Sequence, residues 1–263
     1  MALAASFPEI ISAYHNQRWR HVRHALKEVE RNPDETAVHH TRVEIKKLFA
    51  LYEFLEYSSG ERCLDALHPL HKVFKLLGKL RDHSNLQSLC LEFGMDIVLK
   101  VGKEGNLKAT HKRIKDQIGK HKDEFSKIKH SHAKLCQHVG APVWEEYLKA
   151  KYNEIKAVTS SPELEQLHDT RKRIKRLLYN AQLTGSISDA IKNIEALDKL
   201  QDLIGSWHDL VVFHDALIQS GADTVYHTQF TAVMRKEKKI RREIICSIAL
   251  CFPQPAGSRG LLL

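Results

Sequence analysis

The 263-residue chain contains no uninterrupted apolar run of 18 residues, so no segment reads as a membrane-spanning helix. Its first nine residues lack the basic start and long apolar stretch of a secretory signal. The five cysteines, Cys63, Cys90, Cys136, Cys246 and Cys251, are odd in number and form no pair of the C-x-x-C type. That argues against a disulfide framework and against a thiolate zinc site. Aromatic residues make up only 7% of the chain, and no segment keeps the period-two alternation of a half-buried strand. These absences leave a helical protein, read here as soluble and resident in a reducing cytoplasm.

Positive charge is abundant. Lys and Arg total 41 against 32 acidic residues, giving a net charge of +9 and a pI near 9.2, and 17 histidines stand outside that count. The surplus points to an anionic partner. A hydrophobic content of 43% over this length is enough for one large domain or two similar halves.

An internal repeat favours two halves. Residues 38–48, Val-His-His-Thr-Arg-Val-Glu-Ile-Lys-Lys-Leu, return at 167–177 as Leu-His-Asp-Thr-Arg-Lys-Arg-Ile-Lys-Arg-Leu. At this spacing of 168 − 39 = 129, His39 falls on His168, Arg42 on Arg171, Lys46 on Lys175 and Lys47 on Arg176. A second pair of landmarks follows in the same order, Gly78 to Asp82 and Gly205 to Asp209, at a spacing of 205 − 78 = 127. Two landmarks in one order make a repeat that covers most of each half. On a helix, His39, Arg42 and Lys46 form one cationic stripe, while Thr41, Ile45, Leu48, Tyr52 and Leu55 form the apolar face. The stripe flanks the apolar face instead of opposing it. This placement reads as a basic lining at the mouth of a groove between helices. The alternative is a solvated flank whose long stems cover the core edge. Solubility gives no reason to write the same register twice, which weighs against that alternative.

The remaining elements follow from periodicity and stop signals. Helices are expected over residues 7–30, 33–57 (capped by Asn32, with Pro33 first) and 63–77, where Pro69 kinks the helix or shifts its start. Gly78 and Gly205 allow a close approach or break a helix. Asp82 and Asp209 are expected to cap new helices at 86–93 and 210–218, the alternative being that they orient a basic residue. A loop at 102–105 precedes a Lys- and His-rich helix over 106–139, and Gly140-Ala141-Pro142 marks an internal boundary. Beyond it come helices over 143–158, one capped by Ser161-Pro162-Glu163 that carries the second motif, then 188–204 after a turn at 184–186, and 224–250. The fold class expected is all-α, two four-helix bundles related by a pseudo-twofold axis. The halves are 1–140 and 141–252, forming one domain, with a disordered tail at 253–263.

His39-x-x-Arg42-Val43-x-x-Lys46-Lys47, His168-x-x-Arg171-x-x-x-Lys175-Arg176-x-x-Tyr179 and the two Gly-x-x-x-Asp segments resemble the conserved histidine α-helical domain, CHAD, over about residues 10–250. The resemblance implies non-catalytic binding of inorganic polyphosphate in a basic central channel lined by both helical bundles, and association with polyphosphate granules in the cytoplasm. Carried onto this chain, it implies a binding set of His39, Arg42, Lys46, Lys47, Arg81, His168, Arg171, Lys172, Lys175 and Arg176. Family members are often fused to a triphosphate-processing tunnel domain, for which this chain has no acidic-and-basic strand repeats. They commonly carry a further Arg where this chain has Phe49 and Leu178.

The chemistry of the residues agrees with a polyanion that has no bases to read, because such a ligand needs rows of cations and no stacking aromatics. Weak nucleic-acid binding is the alternative, since lysine-rich helices bind any phosphate backbone by counterion release, although aromatic platforms are missing. A metal-dependent phosphohydrolase is suggested by the doublets His168-Asp169, His208-Asp209 and His214-Asp215. His168, however, has cations at i+3, i+7 and i+8 that repel a dication. No enzyme activity, cofactor, metal or membrane partner is therefore expected.

Overall fold

The computed structural model describes residues 5–97, 107–159, 164–184 and 193–252. Those residues form nine α-helices and no strand: α1 Phe7–Arg31, α2 Glu35–Ser59, α3 His68–Glu92, α4 Leu107–Ala133, α5 Ala141–Thr159, α6 Leu164–Ala181, α7 Ile194–Ser220, the four-residue α8 Ala222–Val225 and α9 His227–Cys251. The fold is all-α, as expected. The expected loop at 102–105, the cap at 161–163, the 185–186 part of the turn and the tail at 253–263 lie outside the described residues. Among the described residues no helix is long and apolar enough to cross a membrane.

The chain divides into two compact units. Unit 1 comprises Met1–Tyr147 with Tyr179–Ile187, and unit 2 comprises Leu148–Leu178 with Ser188–Leu263. Unit 1 holds α1 to α4 around a core that includes Trp19, Ile45, Tyr52, Phe54, Leu77 and Phe125. Unit 2 holds most of α5 and α6 with α7 to α9, around Ile155, Ile174, Leu200, Ile204, Phe213 and Ile244. The motif helix α2 thus lies in unit 1, and the motif residues of α6 lie in unit 2.

Local chemistry sets the helix ends. Glu9 accepts from the Ser6 backbone N–H at 2.7 Å and from its hydroxyl at 2.9 Å, closing the first turn of α1. The start of α2 differs from the expectation. Asp34, not Asn32, is the cap, its carboxylate accepting from Ala37 N–H at 2.8 Å, because the Asn32 N–H still completes α1 by donating to Glu28 O. Gly60 closes α2 with φ 74°, a left-handed conformation that suits a residue without Cβ. Pro69 falls in the first turn of α3, where its missing N–H costs nothing, so it shifts the start of the helix and does not kink it.

The larger correction concerns the two Gly-x-x-x-Asp segments. Gly78 lies inside α3 and Gly205 inside α7, both of them 25 residues long or more. Neither glycine breaks a helix. Asp82 and Asp209 are therefore helix-interior residues and cap nothing, and the separate helices expected at 86–93 and 210–218 are the second halves of α3 and α7. The physical reason is found at the site itself.

Candidate functional site

The apolar face of α2 is buried as its period requires: Thr41, Ile45, Leu48, Tyr52 and Leu55 have essentially no exposure. The stripe beside it is graded, with His39 exposed and Arg42, Lys46 and Lys47 half-buried. Within unit 1, the first turns of α2 and the middle of α3 enclose a cleft of about 770 Å³. His39, His40, Lys47 and Arg81 supply its cationic and imidazole groups, and Glu35 and Glu44 its acids. Three residues of the expected set, His39, Lys47 and Arg81, therefore share one cavity.

Glu44 forms part of that cavity and was not singled out from the sequence. It is 4% exposed, and its carboxylate accepts from Arg18 Nη1 at 2.9 Å and from Lys47 Nζ at 2.8 Å, with His21 Nδ1 3.4 Å away. Burial alone would raise its pKa. The Lys47 hydrogen bond and the charges of Arg18, Lys47 and His21 outweigh that and hold the carboxyl below its ordinary value. Lys47 is thus tied to an internal anion at the edge of the cleft. The sequence signal that was available was a single acid inside an otherwise basic motif.

Arg42 turns away from the cleft opening toward α3. Its Nη1 donates to the Phe74 carbonyl at 2.9 Å, and its Cζ lies 4.2 Å from the centre of the Phe74 ring. Burial lowers its pKa to about 10, with Asp82 opposing the shift and Arg81 adding to it, so it stays charged at neutral pH. Asp82 faces a basic residue, the second of the two roles considered for it. A Cβ placed on Gly78 would stand 2.9 Å from Arg42 Nη1. The glycine leaves room for the guanidinium against the helix backbone. Arg42 is therefore partly a packing residue. Lys46 Nζ lies 6.0 Å from the same Phe74 ring.

Unit 2 has the same construction. Arg171 Nε donates to the Gln201 carbonyl at 3.0 Å, and a Cβ on Gly205 would stand 2.7 to 2.9 Å from three atoms of its guanidinium. The acceptors sit 201 − 74 = 127 apart, as do the glycines at 205 − 78 = 127, so each arginine meets the carbonyl four residues before its glycine. In both helices the glycine is needed for a side-chain approach, which explains why the helix continues through it.

His168 packs against His208, ring centroids 4.2 Å apart and planes tilted by 34°. Burial, then the charges of His208, Lys172 and Arg171, hold its pKa at about 4 against the smaller pull of Asp169, so its imidazole is neutral at pH 7. Its Nδ1 is buried without a hydrogen-bond partner. Asp169 is engaged with Lys172 Nζ at 3.0 Å, which also holds its carboxyl below the ordinary range. Lys175 is half-buried and Arg176 exposed. Among the described residues no group of three or more His, Cys, Asp or Glu side chains is arranged to hold a metal ion. At the two positions where family members carry a further Arg, Phe49 packs edge-on against His71 and Phe74, and Leu178 is 7% exposed. Both are packing residues here.

Comparison with known proteins bears on this geometry. The CHAD domain family model matches residues 106–218, a span that contains the second motif and Gly205 but not the first motif. No curated protein matches the chain. Among solved structures, the crystal structure of the CHAD domain from the plant Ricinus communis matches with a TM-score of 0.63 and 15% identity, covering 94% of this chain and 94% of that one. At that identity the likeness speaks for the fold. The match to the CHAD domain family over residues 106–218 thus lies within a chain that has the fold of a CHAD domain.

Proposed function

We propose that the protein binds inorganic polyphosphate without hydrolysing it, at cytoplasmic polyphosphate granules. The observation that carries this reading is the gathering of His39, Lys47 and Arg81 on one cleft of unit 1, with a second row of cations, Arg171, Lys175 and Arg176, on α6 of unit 2. A long polyanion that engages both rows binds the second at high effective concentration. Neutral His168 and exposed His39 can each donate a ring N–H to a phosphate oxygen. Arg42 and Arg171, anchored on backbone carbonyls, keep their remaining N–H groups in fixed positions, so less side-chain freedom is lost on binding.

The test is calorimetry against long-chain polyphosphate, orthophosphate, single-stranded RNA and duplex DNA at matched salt. Polyphosphate is expected to bind tightest. Lys47→Gln with Arg81→Gln should weaken it and lower the salt slope by roughly 1.4, at about 0.7 per phosphate contact. The matched control is Lys27→Gln with Lys120→Gln, both exposed and outside the motifs. Equal loss in the control would reduce the protein to a diffuse polycation. Orthophosphate released on adding magnesium, manganese or zinc would refute the non-catalytic part.

A further inference from the structure

The outer face of α9 carries a second concentration of charge, separate from the motif residues. Between positions 235 and 242 stand Arg235, Lys236, Lys238, Lys239, Arg241 and Arg242, with Glu237 as the sole acid. The helix packs against α7 and buries Val233, Ile240, Ile244 and Ile248. Arg235, Lys238, Lys239, Arg241 and Arg242 are all exposed. Lys239 lies 3.9 Å from Glu243, an exposed pair that is easily exchanged for an external anion.

The arrangement selects among anions. At about 100° per residue, Lys238 and Ile245 run along the middle of the exposed face, with Arg241 to one side and Arg235 and Arg242 to the other. Cations on a convex ridge diverge, so a thin flexible chain meets one row at a time. A duplex presents two phosphate rows across its groove. The major groove of B-form DNA, about 12 Å wide, admits a helix of about 10–12 Å diameter with phosphates on both flanks. The deep, narrow major groove of A-form RNA does not. No Asn or Gln stands between 231 and 245 to read adenine, which leaves backbone contact as the main term.

We propose that the exposed face of α9 is a docking surface for B-form duplex DNA, which it holds by the phosphates through Arg235, Lys238, Arg241 and Arg242. This is independent of the polyphosphate reading and can stand or fall without it. The test is fluorescence anisotropy of the full chain with a labelled mixed-sequence DNA duplex over a salt series. Lys238→Gln, Arg241→Gln and Arg242→Gln combined should lower affinity roughly 100- to 500-fold at about 0.1 M salt and reduce the salt slope by about 2.7, at 0.9 per contact. All three positions are exposed, and circular dichroism should show helicity unchanged. Lys27→Gln with Lys120→Gln should leave DNA affinity within about twofold. The proposal is overturned if the triple variant binds the duplex as the parent does, if the parent shows no duplex binding, or if the control pair loses as much. Exposed Met234 and Ile245 flank the cations, so vesicles containing anionic lipid form a further arm. Tighter binding to those vesicles than to the duplex, lost in the triple variant, would assign the face to a membrane surface and also overturn the proposal.

Discussion

Replacing Gly205 by Ala tests whether the glycine is there for Arg171. In a helix interior the change ordinarily stabilises by about 1 kcal/mol, because alanine loses less backbone entropy on folding. Here the new Cβ would lie 2.7 Å from Nη2, 2.8 Å from Nε and 2.9 Å from Cζ of Arg171. Comfortable contact lies at about 3.5 Å, so the guanidinium must retreat by roughly 0.7 Å, and the 3.0 Å bond from Nε to the Gln201 carbonyl is lost with it. A charged hydrogen bond of that kind contributes about 1.5–3 kcal/mol. The loss exceeds the gain, and Gly205→Ala should destabilise by roughly 0.5–2 kcal/mol. In an Arg171→Ala background nothing is left to collide with, and the same substitution should stabilise by about 1 kcal/mol. The sign inverts, and the cycle should report a coupling of roughly 1.5–3 kcal/mol. Urea unfolding of the four proteins, followed by helicity and by tryptophan fluorescence, to which Trp207 on α7 contributes, measures it. Gly78→Ala should cost less, since only Nη1 of Arg42 comes within 3 Å of the added carbon. Stabilisation by Gly205→Ala in the parent background would refute the reasoning, because the guanidinium would then not be held against the Gly205 backbone.

Two further outcomes follow from buried groups of unit 1. His15 is 1% exposed beside the Tyr52 hydroxyl, and burial, then Lys129 and His132, hold its pKa at about 4 against the ordinary 6.5. Between those values the unfolded chain takes up a proton that the folded one refuses. Stability should therefore fall by up to about 3 kcal/mol as pH drops from about 7 to about 4. Urea unfolding at several pH values should show this fall reduced in His15→Gln, and an unchanged pH slope in the variant would contradict it. Glu44→Gln leaves Arg18, 7% exposed, without its counter-ion and should destabilise by about 3–5 kcal/mol, a change measurable by thermal denaturation, whereas a loss under about 1 kcal/mol would show that the pair is not buried in solution.

Much of the fold was legible in the sequence. The three-and-four spacing on α2 named five residues that are all buried, and α1 was expected over 7–30 against the observed Phe7–Arg31. Periodicity works at this level because a helix face is a local property, set by the 100° advance of each residue. The errors cluster at the glycines. Propensity counts a glycine as a break, yet α3 and α7 run through theirs because a guanidinium from another helix fills the space. Arg42 reaches Phe74 across 32 residues of sequence and Arg171 reaches Gln201 across 30.

The sequence by itself determined the helical class, the buried face of the first motif helix and the placing of a cationic stripe beside that face, since all three depend on composition and period alone. The tertiary structure alone decided which cations line the cleft and which groups of the protein they engage. His39, Lys47 and Arg81 line a cleft because α3 lies against α2. Lys47 is tied down because Arg18 and Glu44, 26 residues apart, meet beneath it. A side chain's hydrogen-bond partner is fixed by packing between elements distant in sequence, and no local pattern carries that distance.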